Sequence, residues 1–86
     1  MIRIYSKEAC KYCAMAKELA ASAEIEYEEM TVGPTANHDI DRIDFMNQFQ
    51  TVRSLPLILK VNAEGEITET IGGYTEFKEK VDSDAL

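Results

Sequence analysis

The feature that most constrains this chain is its cysteine pair, Cys10 and Cys13, which are separated by two residues. The pair follows a short apolar segment and precedes an alanine-rich stretch with helical periodicity. Residues three apart on a helix are neighbours, and this spacing brings their Cα atoms within the range that a disulfide can bridge. A Cys-x-x-Cys that opens the helix of a β-α-β unit indicates thiol–disulfide exchange.

The length and composition predict a single soluble domain over residues 1–86. The chain is 45% hydrophobic and 29% charged, which is ordinary for a globular protein. No apolar run approaches the roughly 20 residues that span a bilayer, and residues 1–9 lack a signal-peptide pattern. We therefore expect a cytoplasmic protein in a reducing compartment, where a cysteine pair is more often catalytic or metal-binding than structural.

The charge balance argues against nucleic-acid and anionic-membrane partners. Nine Lys and Arg residues stand against 16 Asp and Glu residues, which gives a net charge of −7, and a chain this acidic is repelled by phosphate-rich surfaces. The local exceptions are Lys7 and Lys11 beside the cysteines, and Arg53 in an otherwise uncharged stretch.

The hydrophobic periodicity predicts the element order β-α-β-α-β-β-α. The second strand has an alternation that slips between Tyr27 and Met30, which indicates a bulge or an edge position. The second helix has Asp39 or Asn37 as its predicted N-cap. The predicted strands cover residues 2–6, 25–32, 57–61 and 67–71. The first helix is predicted to begin at residue 10, the second to lie near residues 40–50, and the third to begin near residue 74. A right-handed crossover followed by a hairpin then gives a four-stranded mixed sheet with helices on both faces, the thioredoxin-like arrangement.

The two sulfurs are predicted to have different roles. Cys10 lies at the helix N-terminus, where unpaired N–H groups and the helix dipole stabilise an attacking thiolate. Cys13 lies one turn inside the helix and suits the resolving thiol. A zinc site would need more ligands than this pair and the distant His38 provide. A purely structural disulfide over so short a loop would restrict the unfolded chain little.

Two further segments allow both a structural and a functional interpretation. Pro56 begins an apolar strand, either as an ordinary trans proline or with a cis bond that turns Leu55 outward and frees its backbone for a ligand. Gly72-Gly73 is either a simple turn or a place where a ligand backbone approaches the helix start at Thr75 and Glu76.

Three segments together resemble glutaredoxins of the dithiol Cys-x-Tyr-Cys type, and the resemblance covers essentially the whole chain. Residues 5–13, Tyr-Ser-Lys-Glu-Ala-Cys-Lys-Tyr-Cys, look like the family's Tyr-Ser-Lys-x-x-Cys-Pro-Tyr-Cys segment. Residues 53–56, Arg-Ser-Leu-Pro, are similar to its Arg-Thr-Val-Pro loop with a cis proline. Residues 71–77, Ile-Gly-Gly-Tyr-Thr-Glu-Phe, match its Gly-Gly and acidic helix start.

The resemblance implies a glutathione-dependent oxidoreductase without a tightly bound cofactor or metal, in which Cys10 attacks and Cys13 resolves. Glutathione would be the reductant, and disulfide-containing proteins would be the substrates, with ribonucleotide reductase as a family-level example. A monomer is the default expectation for a chain of this kind. The implied glutathione contacts are Lys7 and Arg53 at a carboxylate, Gln48 as a looser match to a family glutamine, Tyr12 beside the tripeptide, Leu55 and Pro56 at the cysteinyl backbone, and Gly72, Gly73, Thr75 and Glu76 at the γ-glutamyl end.

The chain departs from the family pattern at two places. Lys11 replaces the usual proline between the cysteines, and a cation beside the thiolate should make the protein more oxidising. Thr75-Glu76 replaces the commoner Ser/Asp-Asp pair.

Two other functions stay open at this point. One is a thioredoxin-like redoxin that a flavin reductase reduces, although this role needs no glutathione pocket of the kind that Lys7, Arg53 and Glu76 would form. The other is an iron–sulfur carrier in which two subunits share a cluster through Cys10 and glutathione.

Overall fold

The computed structural model describes residues 1–33, 38–50 and 55–84. In these ranges the helices and strands alternate along most of the chain. The elements are β1 (Ile2–Ser6), α1 (Lys11–Ser22), β2 (Tyr27–Gly33), β3 (Ile40–Asp41), α2 (Arg42–Gln48), β4 (Leu57–Val61), β5 (Ile67–Gly72) and α3 (Tyr74–Asp82). The strands form one sheet in the order β3-β2-β1-β4-β5.

The sheet is mixed and places β1 at its centre. β1 pairs in parallel with β2 and antiparallel with β4, and β4 pairs antiparallel with β5. The thioredoxin-like arrangement is therefore confirmed, as are the bounds predicted for β1 and β4. No helix in the described ranges has the length and apolar character that crossing a membrane requires.

The predicted strand count and the predicted start of the second helix were wrong. A fifth strand, β3, pairs its two residues with Val32 and Gly33, so that Ile40 belongs to the sheet and α2 begins only at Arg42. The N-cap is Asp41, whose carboxylate accepts a hydrogen bond of 2.8 Å from the N–H of Ile43. Asp39, one of the two predicted caps, instead accepts from Thr31 of β2, and Asn37 lies outside the described residues.

Two apolar layers cover the two faces of the sheet. Alternate residues of β1 point to opposite layers, so that Ile4 faces α1 and α3 whereas Tyr5 faces α2. The α2 layer contains an aromatic cluster in which the Tyr5 ring lies 5.2 Å from the rings of Phe45 and Phe49. The buried residues of the first layer are Ile2, Ile4, Ala16, Ala20, Ile58, Ile71 and Phe77; those of the second are Tyr5, Val32, Phe45, Leu57 and Leu59.

The slip in the alternation of β2 comes from its position and not from a bulge. The register between β1 and β2 runs without interruption from Ile2 to Ser6, and β3 covers only the last two residues of β2. Tyr27 packs in the α1 layer and Met30 in the α2 layer. The polar Glu29, beside Ile4 in the register, therefore lies on the α1 face, where an apolar residue would continue the alternation.

The difference in burial predicts that removing one methyl group has very different effects on the free energy of unfolding at two isoleucines. Ile58 is fully buried in the first layer, whereas Ile67 on β5 is 42% exposed. We expect Ile58→Val to lower the free energy of unfolding by about 0.5–1.5 kcal/mol and Ile67→Val to leave it nearly unchanged. Urea unfolding of both variants measures this, and equal losses would contradict the assignment of the layer.

Candidate active site

The two cysteines form a disulfide at the N-terminus of α1, with 5.2 Å between their Cα atoms. Cys10 is the N-cap residue in extended conformation, and its Sγ accepts a hydrogen bond of 3.2 Å from the N–H of Cys13. Cys10 is half-buried, whereas Cys13 is only 2% exposed. The helix N-terminus and the solvent therefore both favour Cys10 as the attacking sulfur, which supports the predicted roles.

The residues before β4 face this disulfide. The Leu55–Pro56 peptide bond is cis, as the family resemblance implies, and the Leu55 carbonyl oxygen lies 3.8 Å from Cys10 Sγ. The side chain of Leu55 packs against the α2 layer, so that its backbone and not its side chain is directed at the cysteines. This arrangement leaves a backbone acceptor beside the reactive sulfur.

A cleft joins the cis proline to the start of α3. It has a volume of about 240 Å³, and the rings of Tyr12 and Tyr74 stand 6.0 Å apart beside it. We call it the proline cleft; it is lined by Tyr12, Leu55, Pro56, Gly73, Tyr74, Thr75 and Glu76. The structure thus brings together six of the residues that the sequence indicated and adds Tyr74, which the pattern assigned only to the apolar face of α3.

Gly72, Gly73 and Glu76 build the turn that ends the proline cleft. The N–H of Gly73 donates a hydrogen bond of 2.9 Å to Glu76 Oε1, which caps the first turn of α3. Gly72 has a φ of 120°, and a Cβ at this position would lie 2.8 Å from the same Glu76 oxygen. Gly72 does not line the cleft and instead makes the turn possible, and one oxygen of Glu76 is already engaged with the backbone.

A second cavity, of about 600 Å³, lies beside both cysteines. We call it the β2 cavity; it is lined by Ser6, Lys7, Glu8, Ala9, Cys10, Lys11, Cys13, Ala14, Lys17, Glu29 and Thr31. It shares no lining residue with the proline cleft. Lys7, predicted to bind glutathione, is therefore placed near Cys10 but not within the proline cleft.

A hydrogen-bonded group that sequence reasoning missed lies in the β2 cavity. Glu29 Oε2 accepts a hydrogen bond of 2.5 Å from the Ser6 hydroxyl and one of 2.8 Å from the Lys17 ammonium. These two bonds, the one from Lys17 first, lower the pKa of the Glu29 carboxyl against the opposing effect of burial. The slip in the β2 alternation was the signal that could have revealed this carboxylate.

The remaining candidate residues are Arg53, Gln48 and His38. Arg53 falls outside the described residues, and Gln48 ends α2 as an exposed residue that lines neither cavity. His38 has its Nε2 3.5 Å from Glu8 Oε1. Within the described ranges no group of three or more His, Cys, Asp or Glu side chains is placed to hold a metal ion.

The comparison with protein families identifies the chain. The glutaredoxin family model matches residues 2–58, which include both cysteines and the cis proline. The chain belongs to the glutaredoxin family. Together with the cysteine pair, this membership makes it a thiol–disulfide oxidoreductase. The search of curated proteins found no match.

Solved structures share the fold at low sequence identity. Glutaredoxin 1 from Francisella tularensis is 24% identical with a TM-score of 0.70, over 96% of this chain and 93% of that one. A buckwheat glutaredoxin–glutathione complex is 22% identical with a TM-score of 0.70, over 99% and 71%. Thioredoxin from Aeropyrum pernix is more distant, at 19% identity and a TM-score of 0.57, over 96% and 70%.

The Glu29 hydrogen bonds predict a specific loss of stability in acid. Because the fold lowers the pKa of Glu29 from its ordinary value of 4.5, the stabilisation is present above that value and is lost as the pH falls through the folded pKa. Glu29→Gln should therefore lose less stability than the parent protein between neutral pH and about pH 3. Urea unfolding at a series of pH values measures this difference.

The matched control is Glu18→Gln, which removes an exposed carboxylate of α1 that accepts no hydrogen bond from the described residues. Its acid profile should run parallel to that of the parent protein. If Glu29→Gln gave the same profile, the two hydrogen bonds to its carboxylate would not stabilise the fold.

Proposed function

We propose that the chain uses glutathione to reduce protein disulfides and protein–glutathione mixed disulfides through Cys10 and Cys13. The observation that supports this best is the proline cleft beside Cys10, which holds the cis proline, the Leu55 carbonyl and the start of α3 together. In this cleft an extended peptide ligand would meet backbone groups at the centre and polar side chains at one end. The buckwheat neighbour was solved as a complex with glutathione.

The reaction begins at Cys10. Its thiolate attacks one sulfur of a substrate disulfide; a new sulfur–sulfur bond forms as the old one breaks, and the electron pair leaves with the released thiolate. The N–H of Cys13, which points at Cys10 Sγ, stabilises the charge on this sulfur before the attack. The resulting mixed disulfide is released either by glutathione or by Cys13.

Glutathione recognition follows from charge and shape. Glutathione carries two carboxylates and one ammonium. Thr75 and Glu76 lie at one end of the proline cleft, and we assign this end to the γ-glutamyl group. Neither Lys7 nor Lys11 forms a salt bridge within the part of the chain that the structure describes. Their charges are therefore available to a carboxylate near Cys10, and we assign Lys7 to this contact, with Arg53 as its partner from the sequence.

The proposal extends to the setting of the protein. We place the reaction in a reducing, cytosol-like compartment, where the dithiol is regenerated by glutathione, and we propose that the chain acts as a monomer. Its substrates are disulfide-containing proteins, of which ribonucleotide reductase is the example that the family suggests.

The cysteine variants test the proposed reaction. We expect Cys10→Ser to abolish both reactions, because no other sulfur is accessible at the helix N-terminus. We expect Cys13→Ser to keep the reduction of protein–glutathione mixed disulfides, which needs one thiol, and to lose most protein-disulfide reduction. A glutathione-coupled assay with each substrate measures this, and activity retained without Cys10 would reverse the two roles.

The lysine beside the site tests the glutathione contact itself. An exposed charge pair contributes about 0.5–1 kcal/mol to binding. Lys7→Gln should therefore raise the KM for glutathione about two- to fivefold with little change in kcat. Lys60→Gln is the matched control, because Lys60 lies at the far end of β4 and lines neither the proline cleft nor the β2 cavity. An equal KM in Lys7→Gln and the parent protein would remove Lys7 from the glutathione site.

A further inference from the structure

The β2 cavity contains a polar group that the reaction at Cys10 does not use. Ser6 and Glu29 project from the α1 face of the sheet, since the register sets Glu29 beside Ile4 and Ser6 lies two residues further along β1. Above them on α1, Lys17 follows Cys13 by four residues, so that the two side chains are neighbours on the helix surface. Ser6, Glu29, Lys17 and Cys13 are all among the residues that line this cavity.

The resolving step requires a group near Cys13 that can accept the proton of its thiol. Cys13 must lose its proton before it can attack the mixed disulfide on Cys10, yet it is only 2% exposed, and burial disfavours a thiolate. Its own N–H is directed at Cys10 Sγ. The β2 cavity, at about 600 Å³, is large enough for water and offers several polar partners to hold it.

We propose that Glu29 accepts the proton of the Cys13 thiol, directly or through one water in the β2 cavity, as Cys13 attacks the mixed disulfide. The S–H bond of Cys13 breaks and an O–H bond forms on Glu29. The Cys13 sulfur then bonds to Cys10 Sγ while the bond from Cys10 to the substrate sulfur breaks. The substrate leaves as a thiolate, and Glu29 returns the proton to it through solvent.

Lys17 affects both sides of this transfer, because its hydrogen bond opposes protonation of Glu29 whereas its charge favours the Cys13 thiolate. It is hydrogen-bonded to Glu29 at rest, and once the carboxylate is protonated its positive charge is left to stabilise the neighbouring thiolate. Ser6 is 2% exposed and its hydroxyl fixes the orientation of the carboxylate. The ionisable residues that line the cavity together with the cysteines are Lys7, Glu8, Lys11, Lys17 and Glu29. Of the two carboxylates, Glu29 is 32% exposed and is held by two hydrogen bonds, whereas Glu8 is 87% exposed.

The direction in which removal of Glu29 changes the rate of the resolving step distinguishes a proton acceptor from a carboxylate that acts only through its charge. A carboxylate that acted only through its negative charge would oppose the Cys13 thiolate, so that its removal would speed the resolving step. A carboxylate that accepts the proton has the opposite effect, because its removal slows that step. The inference rests on dithiol exchange at Cys10 and Cys13 and does not require glutathione.

The experiment uses the reduced protein with one equivalent of the aromatic disulfide dithiobis(nitrobenzoate). Attack by Cys10 releases the first coloured thiolate, and attack by Cys13 on the mixed disulfide releases the second. In Glu29→Gln at neutral pH we expect the second release to slow about tenfold or more, as general-base catalysis contributes at least this much, while the first stays within about twofold. Cys13→Ser should give the first release alone.

The matched control is Glu28→Gln, which removes the same charge from the neighbouring residue on the opposite face of β2, where Glu28 pairs with Arg3. Both of its releases should match the parent protein. Glu29→Asp should restore part of the second rate, and the deficit of Glu29→Gln should shrink as the pH rises, because hydroxide then removes the thiol proton without the carboxylate.

Three results would overturn the proposal: a second release in Glu29→Gln that is unchanged or faster, an equal slowing of both releases, or a deficit that does not shrink as the pH rises. Because no glutathione is present, these results are independent of the glutathione-coupled assays that test the proposed function.

Discussion

The site depends on the burial of β1 between two apolar layers. Ile4 contacts one layer and Tyr5 the other, and hydrogen bonds to β2 and β4 fix both edges of the strand. These contacts fix the position of β1 and therefore the position of the N-terminus of α1 that follows it. At this point Cys10 lies beside the Leu55 carbonyl of the segment before β4. The geometry of the exchange reaction is therefore set by apolar packing some distance below the sulfurs.

The acidic composition makes the distribution of charge around the disulfide informative. In a chain with a net charge of −7, the surroundings of Cys10 include Lys7 and Lys11, which have no salt-bridge partner among the described residues. The carboxylates nearby also contact the protein itself: Glu76 bonds the N–H of Gly73, Glu29 accepts from Ser6 and Lys17, and Glu8 lies 3.5 Å from the Nε2 of His38. An anionic thiolate or ligand thus meets a locally favourable potential.

Sequence reasoning was accurate where the signal is local. The bounds of β1 and β4 follow from alternation and from an unbroken apolar run, and the cysteine spacing alone located the disulfide. It failed where contacts join distant residues: β3 forms because Ile40 meets Val32, and Tyr74 reaches the site because α3 packs beside α1. Glu29 was missed because a polar residue in a strand resembles an exposed one until its face is known. The predicted contact of Arg53 lies outside the described residues.

The turn at Gly72 has a consequence for how this protein can diverge. Glu76 Oε1 occupies the space into which a Cβ at position 72 would project, and it bonds the N–H of the next residue. Positions 72 and 76 are therefore coupled: the φ of 120° at Gly72 would strain any larger residue, and its Cβ would force the Glu76 carboxylate away from the N–H of Gly73. A family member with a larger residue at position 72 would have to give up both this turn and the capping bond of residue 76, so that the backbone shape and the position of the acid at this end of the cleft would change together.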